Sequence, residues 1–153
     1  MINTYLCGSI ANADVNAMVS RLLSCGGFDV FDPCTIAPQD QSKAHFSQEV
    51  YAQCKRAIEQ CDILFVFLDS YGRDSAWEIG FARGLGKHIV GVAAASSLFL
   101  EDWMVKYAFD RILVLANSWL APQIERSDWV SLRQHCDICA LEDIPHKLHE
   151  GLS

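Results

Sequence analysis

The fold of this chain is decided by one stretch, Cys61-Asp62-Ile63-Leu64-Phe65-Val66-Phe67-Leu68-Asp69-Ser70-Tyr71-Gly72-Arg73-Asp74-Ser75-Ala76-Trp77-Glu78-Ile79-Gly80-Phe81-Ala82. It begins with an apolar run bounded by acids, which predicts a strand buried on both faces, as in a parallel sheet. A helix is predicted from about Ser75 to Leu85, ended by Gly86 with Lys87 beside it. Ligands of open α/β sheets bind just beyond the carboxyl ends of strands, so the loop between these elements is a candidate site.

Three carboxylates crowd into that loop and the helix start: Asp69, Asp74 and Glu78. Glu78 is predicted to lie in the first turn of the helix, where the dipole and free N–H groups favour a negative charge. An ionised, held carboxylate can attack an electrophilic carbon. The alternative is an ordinary first-turn glutamate that stabilises its helix. Trp77 and Phe81 beside it, with Gly80 allowing close approach, favour the functional interpretation.

Short apolar runs alternate with helical patterns along the chain. This alternation predicts one α/β domain spanning residues 1–153, with helices on both faces of a doubly wound, flavodoxin-like or Rossmann-like, five-stranded parallel sheet of order 2-1-3-4-5. The five strands are expected at 1–7, 28–31, 61–68, 88–93 and 112–115. Helices are expected at about 14–25, 43–60 and 75–85, with a short helical or irregular segment at 98–108. The chain from residue 118 to about 135 is predicted to be helical.

The segment from Gly72 to Ala82, with Gly86-Lys87 after it, resembles the signature of the nucleoside 2-deoxyribosyltransferase family. The related deoxynucleoside 5′-monophosphate N-glycosidases share this pattern. The opening Tyr5-Leu6-Cys7-Gly8-Ser9-Ile10 is similar to the first-strand motif of the same group, and the order of elements agrees over residues 3–115. The resemblance implies that the ligands are a nucleoside or nucleotide and a free nucleobase, with no cofactor and no metal.

The resemblance also implies roles for individual residues. Glu78 would be the nucleophile that forms a covalent glycosyl intermediate, and Tyr5 would orient it, although a half-buried core tyrosine is the alternative for Tyr5. Asp74 is the third predicted catalytic residue, and Asp74 or Asp69 would contact the base or the sugar hydroxyls. The predicted substrate-binding residues are Gly8, Ser9, Asp69, Gly72, Ser75 and Arg111.

The Gly8-Ser9 turn presents backbone N–H groups and a hydroxyl that can hold a phosphate or a sugar hydroxyl, and a plain tight turn is an equal alternative. Two regions of the sequence indicate whether the substrate carries a phosphate, and they have opposite implications. Ala11 and Asn12 stand where the nucleotide-hydrolysing relatives carry a basic residue, which favours a nucleoside. Arg111 stands where transferases commonly carry an Asn, and an arginine there favours an anionic substrate.

A further departure from the family pattern concerns the base. The resemblance places an aspartate that helps protonate the base on the helix before the third strand, and the matching position here is Cys54. Family members also complete the pocket with residues of a neighbouring subunit. We therefore expect a homodimer or a higher homo-oligomer, with Trp103, Trp119 and Trp129 as candidate interface residues.

The composition is that of a globular domain, with 51% hydrophobic and 20% charged residues. A formal net charge of −7 without a basic stripe argues against a nucleic-acid polymer or an anionic membrane surface as a partner. The longest apolar segment, Ile89 to Ala95, is too short to cross a membrane. Because the N-terminus enters a strand without a basic segment and a long apolar run, we expect a cytoplasmic protein.

Seven cysteines are consistent with reduced thiols in a cytosol, and Cys7, Cys25 and Cys61 are interpreted as small core residues. Four residues near the C-terminus have the types of zinc ligands: Cys136, Cys139, His146 and His149. The gap between the two pairs is short and no knuckle glycines frame them. Surface or packing thiols are therefore favoured over a zinc site.

Three functions remain open on the sequence. The first is a nucleoside 2-deoxyribosyltransferase that exchanges one base for another. The second is an N-glycosidase that hydrolyses nucleoside 5′-monophosphates. The third is a non-catalytic nucleotide-binding or sensing module in which Glu78 only binds.

Overall fold

The computed structural model describes residues 1–9, 13–36, 43–69, 71–94, 102, 104–124 and 135–152. Within these residues one parallel sheet has six strands in the order β2-β1-β3-β4-β5-β6. The strands are β1 (Ile2–Cys7), β2 (Phe28–Phe31), β3 (Ile63–Phe67), β4 (His88–Ala93), β5 (Arg111–Leu115) and β6 (Cys136–Cys139). The predicted order 2-1-3-4-5 is confirmed, and a sixth strand extends it.

The helices cover both faces of the sheet, as predicted. They are α1 (Ala13–Cys25), α2 (Lys43–Gln60), α3 (Arg73–Gly84), α4 (Ala121–Ile124) and α5 (Ile144–Glu150). One core lies between the sheet and α2 and α3, and includes Cys54, Ile58 and Ile79. The other lies on the opposite face against α1 and α5. None of the helices in the described part of the chain is both long and apolar enough to span a membrane.

The sixth strand was not predicted from the sequence and lies just beyond the helix expected up to about residue 135. β6 pairs in parallel with β5, from Ile112 opposite Cys136 to Leu115 opposite Cys139. The Arg111 guanidinium binds the Asp137 carboxylate, so an ion pair also joins the two strands. The equally short edge strand β2 is bounded by Gly26-Gly27 and Asp32-Pro33, whereas no glycine or proline lies directly beside β6 to mark its ends in the sequence. The predicted helix from residue 118 is represented by α4, and residues 125–134 lie outside the described chain.

Helix α1 is rotated relative to the face that its apolar residues predict. The apolar side chains of Val15 and Met18 are 45% and 49% exposed, and Cys25, which was interpreted as a core residue, is also exposed. The buried stripe instead consists of Asn16, Val19 and Leu23, which follow one another at helical spacing. Asn16 takes the place of an apolar residue because its amide has partners beneath the helix, described below.

The Gly86-Lys87 pair ends α3 and stabilises the neighbouring helix end. Gly86 has a φ of 71°, a conformation that glycine adopts without steric cost, which confirms its predicted role as a helix stop. The Lys87 ammonium donates to the carbonyls of Glu59 and Cys61 at 2.7 and 2.9 Å. Lys87 therefore neutralises carbonyls at the C-terminal end of α2, where a cation is favourable.

We expect Gly91→Ala to destabilise the protein by about 1–3 kcal/mol, because a Cβ there would lie 2.7 Å from Leu68 and 3.1 Å from Phe109. Gly80→Ala is the matched control. Gly80 is an exposed helical residue whose Cβ would meet no described atom within 4 Å, so alanine should stabilise by up to about 1 kcal/mol. Urea unfolding of the parent and the two variants tests whether Gly91→Ala lowers the stability and Gly80→Ala raises it. An unchanged unfolding midpoint for Gly91→Ala would contradict the close packing around Gly91.

Candidate active site

A hydrogen bond between β1 and α3 forms the centre of the candidate site. The Tyr5 hydroxyl donates to Glu78 Oε1 at 2.6 Å, a distance typical of a strong O–H···carboxylate bond. Tyr5 is fully buried, and its ring stacks on Phe31 of β2 with centroids 5.5 Å apart. The hydroxyl is therefore held rigidly, and the structure brings together the two residues that the sequence patterns placed in different motifs.

The expectation that Glu78 lies in the first helical turn is wrong. Helix α3 begins at Arg73, two residues earlier than predicted, with Gly72 as its N-cap in an extended conformation. The Ala76 N–H donates to the Gly72 carbonyl at 2.9 Å and closes the first turn. Asp74 is the acid of that turn, and Glu78 lies one turn further along. The helix dipole therefore acts chiefly on Asp74, whereas Glu78 is held by a tertiary contact.

The surroundings of Glu78 change its acidity. Burial raises the pKa of Glu78, the hydrogen bond from Tyr5 and the neighbouring Cys7 thiol lower it, and the Asp74 charge raises it, with a net increase. Burial and the neighbouring Glu78 charge both raise the pKa of Tyr5, so this phenol stays protonated as a donor. A carboxylate with a raised pKa and one fixed oxygen is a stronger nucleophile than a solvated surface glutamate.

Two buried thiols complete the surroundings of this pair. Cys7 lies two residues after Tyr5 on the same face of β1, and its thiol donates to the Ser75 carbonyl at 4.0 Å. Cys54 of α2 is 7% exposed and lies in the same core as Tyr5. Burial raises the pKa of both thiols. Sequence analysis interpreted Cys7 only as a core residue, although the period of two along β1 places it on the face of Tyr5.

The Gly8-Ser9 turn follows β1 at the carboxyl edge of the sheet. A Cβ on Gly8 would come within 2.7 Å of Phe67 and 2.8 Å of Asn16 Oδ1, so no larger residue fits without a shift. The Asn16 amide Nδ2 lies 3.4 Å from the Ser9 carbonyl and 3.0 Å from Cys34 Sγ. Asn16 thus ties the turn to the segment after β2, and sequence analysis missed it because asparagine on an apolar helix face has no distinctive pattern.

The remaining predicted acids occupy different surroundings. Both oxygens of the Asp69 carboxylate accept from the Ala94 N–H, at 3.1 and 3.0 Å, so Asp69 fixes the chain after β4. A shallow cavity of about 210 Å³ is lined by Leu68, Asp69, Tyr71 and Asp102. Asp74 is exposed, four residues before Glu78 on the same helical face. Gly72 is exposed, and Ser75 is buried with its carbonyl towards Cys7.

The structure does not bring Arg111 to this cluster, which corrects its assignment as a substrate-binding residue. Arg111 is the first residue of β5 and lies at the amino edge of the sheet, whereas the other predicted residues lie towards the carboxyl edge or on α3. Its guanidinium donates to the Asp137 carboxylate and to the Lys147 carbonyl, and pairs with Glu150 at 3.4 Å. These contacts of the Arg111 side chain join β5, β6 and α5.

The aromatic residues beside Glu78 pack against each other rather than over it. Trp77 stacks on Phe81 with centroids 5.1 Å apart and contacts Tyr51 of α2 at 5.4 Å. Gly80 has no described atom within 4 Å of its Cβ position, so nothing in the described chain uses the close approach that a glycine permits. Among the three tryptophans proposed for an interface, Trp119 is 51% exposed, and Trp103 and Trp129 lie outside the described residues.

The geometry of β6 rules out a zinc site built on the CxxC pair. Cys136 packs against the core beneath α2 and α3, whereas Cys139 belongs to the core against α1 and α5. Residues three apart on a strand point to opposite faces, so these two thiols cannot bind one ion. The described residues contain no group of three or more His, Cys, Asp or Glu residues arranged to hold a metal.

Comparisons with known proteins identify the family and the fold of this chain. A family model described as nucleoside 2-deoxyribosyltransferase matches residues 4–137, which confirms the resemblance seen in the motifs. A 2-deoxyribosyltransferase from Bacillus psychrosaccharolyticus aligns over 84% of this chain and 94% of its own, with 22% identity and a TM-score of 0.56. A conserved protein from Enterococcus faecalis V583 aligns over 98% of both chains, with 17% identity and a TM-score of 0.60.

A CMP N-glycosidase from Clostridium botulinum aligns over 96% of this chain and 98% of its own, at 15% identity, but its TM-score of 0.46 is too low for a structural comparison. No curated protein matches the sequence significantly. The two closer likenesses establish a shared fold and do not by themselves transfer an activity.

We expect Glu78→Gln to raise the free energy of unfolding at neutral pH, by about 1 kcal/mol, because glutamine resembles the neutral form that burial favours. Between the unfolded and folded pKa values the folded state binds more protons, so the stability contributed by Glu78 falls as the pH rises through that interval. The gain in unfolding free energy from Glu78→Gln should therefore be complete above the pKa that Glu78 has in the folded protein. It should be absent below about pH 4, where the glutamate is protonated in both states.

Urea unfolding at about pH 4 and about pH 8 measures this difference, with exposed Glu142→Gln as the matched control. A Glu78→Gln protein that is no more stable than the parent at about pH 8 would contradict the raised pKa.

Proposed function

This chain belongs to the nucleoside 2-deoxyribosyltransferase family, and from that premise we propose that it cleaves the N-glycosidic bond of a 2′-deoxynucleoside and transfers the sugar to another nucleobase. The observation that most supports this proposal is the 2.6 Å hydrogen bond from buried Tyr5 to Glu78. A carboxylate that is oriented, partly desolvated and close to the carboxyl edge of a parallel sheet has the properties of a nucleophile in glycosyl transfer.

The proposed reaction has two displacements at the anomeric carbon. An oxygen of Glu78 bonds to C1′ while the C1′–N bond breaks, and the departing base keeps the electron pair and takes up a proton. A ring nitrogen of the second base then attacks C1′, loses its proton, and releases the Glu78 carboxylate. Because each displacement inverts C1′, the product retains the original configuration.

Tyr5 acts in this scheme by orienting the carboxylate. Its hydroxyl holds Oε1, which limits rotation of the carboxylate and lowers the entropy cost of reaching the reacting geometry. In the free enzyme the same hydrogen bond lowers the pKa of Glu78 and so increases the fraction that is ionised. The Asp74 charge raises the pKa of Glu78. It also adds negative potential where positive charge develops on the sugar.

The substrate-binding roles follow from where the remaining residues lie. Asp74 is exposed on the same face of α3 as Glu78 and would accept hydrogen bonds from the base or the sugar hydroxyls. The backbone of Gly8 and Ser9 would contact the sugar. Asp69 would fix one wall of the pocket by accepting a hydrogen bond from the Ala94 N–H. Gly72 and Ser75 would contribute through the start of α3 that they form.

A nucleoside is favoured over a nucleotide because Arg111, whose charge favoured a phosphorylated substrate, is committed to Asp137 and Glu150. Ala11 and Asn12, which also favoured a nucleoside, lie outside the described residues. The second ligand would be a free nucleobase, and the homodimer or higher homo-oligomer remains a prediction.

Incubation of the protein with 2′-deoxyadenosine and cytosine should give 2′-deoxycytidine and adenine. Glu78→Gln should reduce the rate by at least about 10³-fold, because it removes the nucleophile, whereas Glu142→Gln should leave it unchanged. Chromatography of the products measures the rates. Mass spectrometry of the protein incubated with a 2′-fluorinated nucleoside should show a glycosyl adduct on the peptide that contains Glu78.

The same assay distinguishes the alternatives. Free adenine and free sugar in place of 2′-deoxycytidine would identify a hydrolase, and a parallel incubation with dAMP would show whether a 5′-phosphate is required. Ligand-induced thermal stabilisation without turnover would identify a binding module. Full activity in Glu78→Gln would contradict the assignment of the nucleophile.

The rate should also depend on pH in a way set by Glu78. Only the carboxylate attacks, so kcat should fall as the pH is lowered through the raised pKa of Glu78. Tyr5→Phe keeps the stacking ring but removes the hydrogen bond that lowers the pKa of Glu78. The acidic limb of the pH profile of kcat should therefore move to higher pH, and kcat should fall about 10²-fold. Exposed Tyr107→Phe is the control, and an unmoved limb in Tyr5→Phe would contradict the role of Tyr5.

A further inference from the structure

Asn16 is a polar residue on the stripe of α1 that is buried against the sheet. It is 1% exposed and shares this stripe with Val19 and Leu23, which follow it at helical spacing. Its Oδ1 atom is buried and has no hydrogen-bond partner in the described part of the chain. A buried carboxamide whose oxygen is unpaired costs stability, so the presence of Asn16 needs a reason other than the packing of α1.

The donor side of the same amide joins two segments that follow neighbouring strands. Nδ2 donates to Cys34 Sγ at 3.0 Å and to the Ser9 carbonyl at 3.4 Å. Cys34 lies after β2, where its N–H donates to the Asp32 carboxylate at 2.9 Å, and Asp32 is itself buried. Ser9 lies after β1, which pairs with β2. Asn16 therefore links the turn after β1 to a fixed point after β2.

Asn16 also supports the turn from beneath. A Cβ on Gly8 would lie 2.8 Å from Asn16 Oδ1 and 2.7 Å from the Phe67 ring. The Gly8 backbone thus packs directly on these two side chains, and they block movement of the turn towards α1. The carboxamide limits the position of the turn in two ways, by its contact with Gly8 and by its hydrogen bond to Ser9.

We propose that Asn16 is a positioning residue for the sugar of the substrate: it fixes the Gly8-Ser9 turn in the position in which the turn contacts the sugar. Asn16 does not reach the reacting atoms itself, because α1 packs on one face of the sheet and α3, which carries Glu78, on the other. Tyr5 lies on β1, three residues before Gly8, so a fixed turn keeps a constant position relative to the nucleophile. The sugar contact belongs to the proposed function, on which this inference rests.

A residue with this role should affect stability and nucleoside binding in opposite directions. Asn16→Leu keeps nearly the same side-chain size, removes the unpaired oxygen and extends the apolar stripe, so the Tm should rise by about 2–4 °C. The freed turn must be ordered again when the sugar binds, so the Kd of a nucleoside should rise by about 10-fold. Asn16→Ala removes the amide without adding bulk beneath Gly8 and should raise the Kd by a similar factor.

The direct test is calorimetry of ligand binding in the Glu78→Gln background, which prevents turnover. Asn16→Leu and Asn16→Ala should weaken the binding of 2′-deoxyadenosine by about 10-fold and leave the Kd of free adenine within about twofold, because adenine has no sugar. Val19→Ala is the matched control, since Val19 is 2% exposed on the same stripe, one turn further from the Gly8-Ser9 turn. It should lower the Tm and leave both Kd values unchanged.

Three results would overturn the proposal. The first is an unchanged Kd of 2′-deoxyadenosine in both Asn16 variants. The second is an equal loss of affinity for free adenine, which would show that the turn does not act on the sugar. The third is an equal loss of nucleoside affinity in Val19→Ala, which would show that Asn16 has only a structural role in α1.

The anchoring at Cys34 has its own test. Cys34→Ala should weaken 2′-deoxyadenosine binding several-fold, because the Asn16 amide loses its fixed partner. The variant that combines Asn16→Leu and Cys34→Ala should bind no more weakly than Asn16→Leu alone, since both changes remove the same link. Additive losses in the double variant would contradict the anchoring.

Steady-state kinetics separates this inference from the proposed function. With 2′-deoxyadenosine and cytosine, Asn16→Leu should raise the KM of the nucleoside by about 10-fold and change kcat by less than about threefold. A parent protein that binds 2′-deoxyadenosine without turnover would contradict the proposed function, and the calorimetric comparison would still decide the role of Asn16. An active parent in which Asn16→Leu leaves the KM unchanged would overturn only the role of Asn16.

Discussion

The arrangement of this site depends on one constraint: a carboxylate is kept partly out of water by a fully buried phenol on a different element. Burial alone disfavours the ionised form of Glu78, and the Tyr5 hydrogen bond partly offsets that cost. Both residues must be placed to within about 0.5 Å for this balance to hold. The sheet provides that placement, since Tyr5 is enclosed by β2 and β3 on either side and α3 packs directly on the strand it follows.

The two edges of the sheet have different functions. At the amino edge, Arg111 joins β5, β6 and α5, and Asp110 accepts from Arg83 and from the Ile89 N–H. At the carboxyl edge, Asp69 holds the Ala94 backbone and Asn16 holds the Gly8-Ser9 turn. Ion pairs at one edge join elements to each other, whereas polar groups at the other hold the loops that surround the candidate site. This division explains why Arg111, the first residue of β5, belongs to the scaffold.

Much of the fold was predictable because parallel strands buried on both faces produce uninterrupted apolar runs, and β3 and β4 are such runs. Tyr5 and Glu78 were also predictable, since each lies in a motif with its own pattern. The exposed side of α1 was not, because the buried face of a half-apolar helix depends on what lies against it. The strand β6 was not, because no glycine or proline directly beside it marks its ends, as Gly26-Gly27 and Asp32-Pro33 do for β2. The position of Glu78 within α3 was predicted one turn too early, since Gly72 begins the helix through its backbone rather than through a capping side chain.

The amino-acid sequence by itself determined the layered α/β architecture, the order of its first five strands and the residues that form the central pair. These follow from local patterns of apolar residues and from short motifs, which act over a few residues of chain. Only the tertiary structure decided which groups surround Glu78, that Arg111 lies at the opposite edge, and that Cys136 and Cys139 face different cores. Those outcomes depend on contacts between residues far apart in the chain, such as Tyr5 and Glu78, whose distance and desolvation no local pattern encodes.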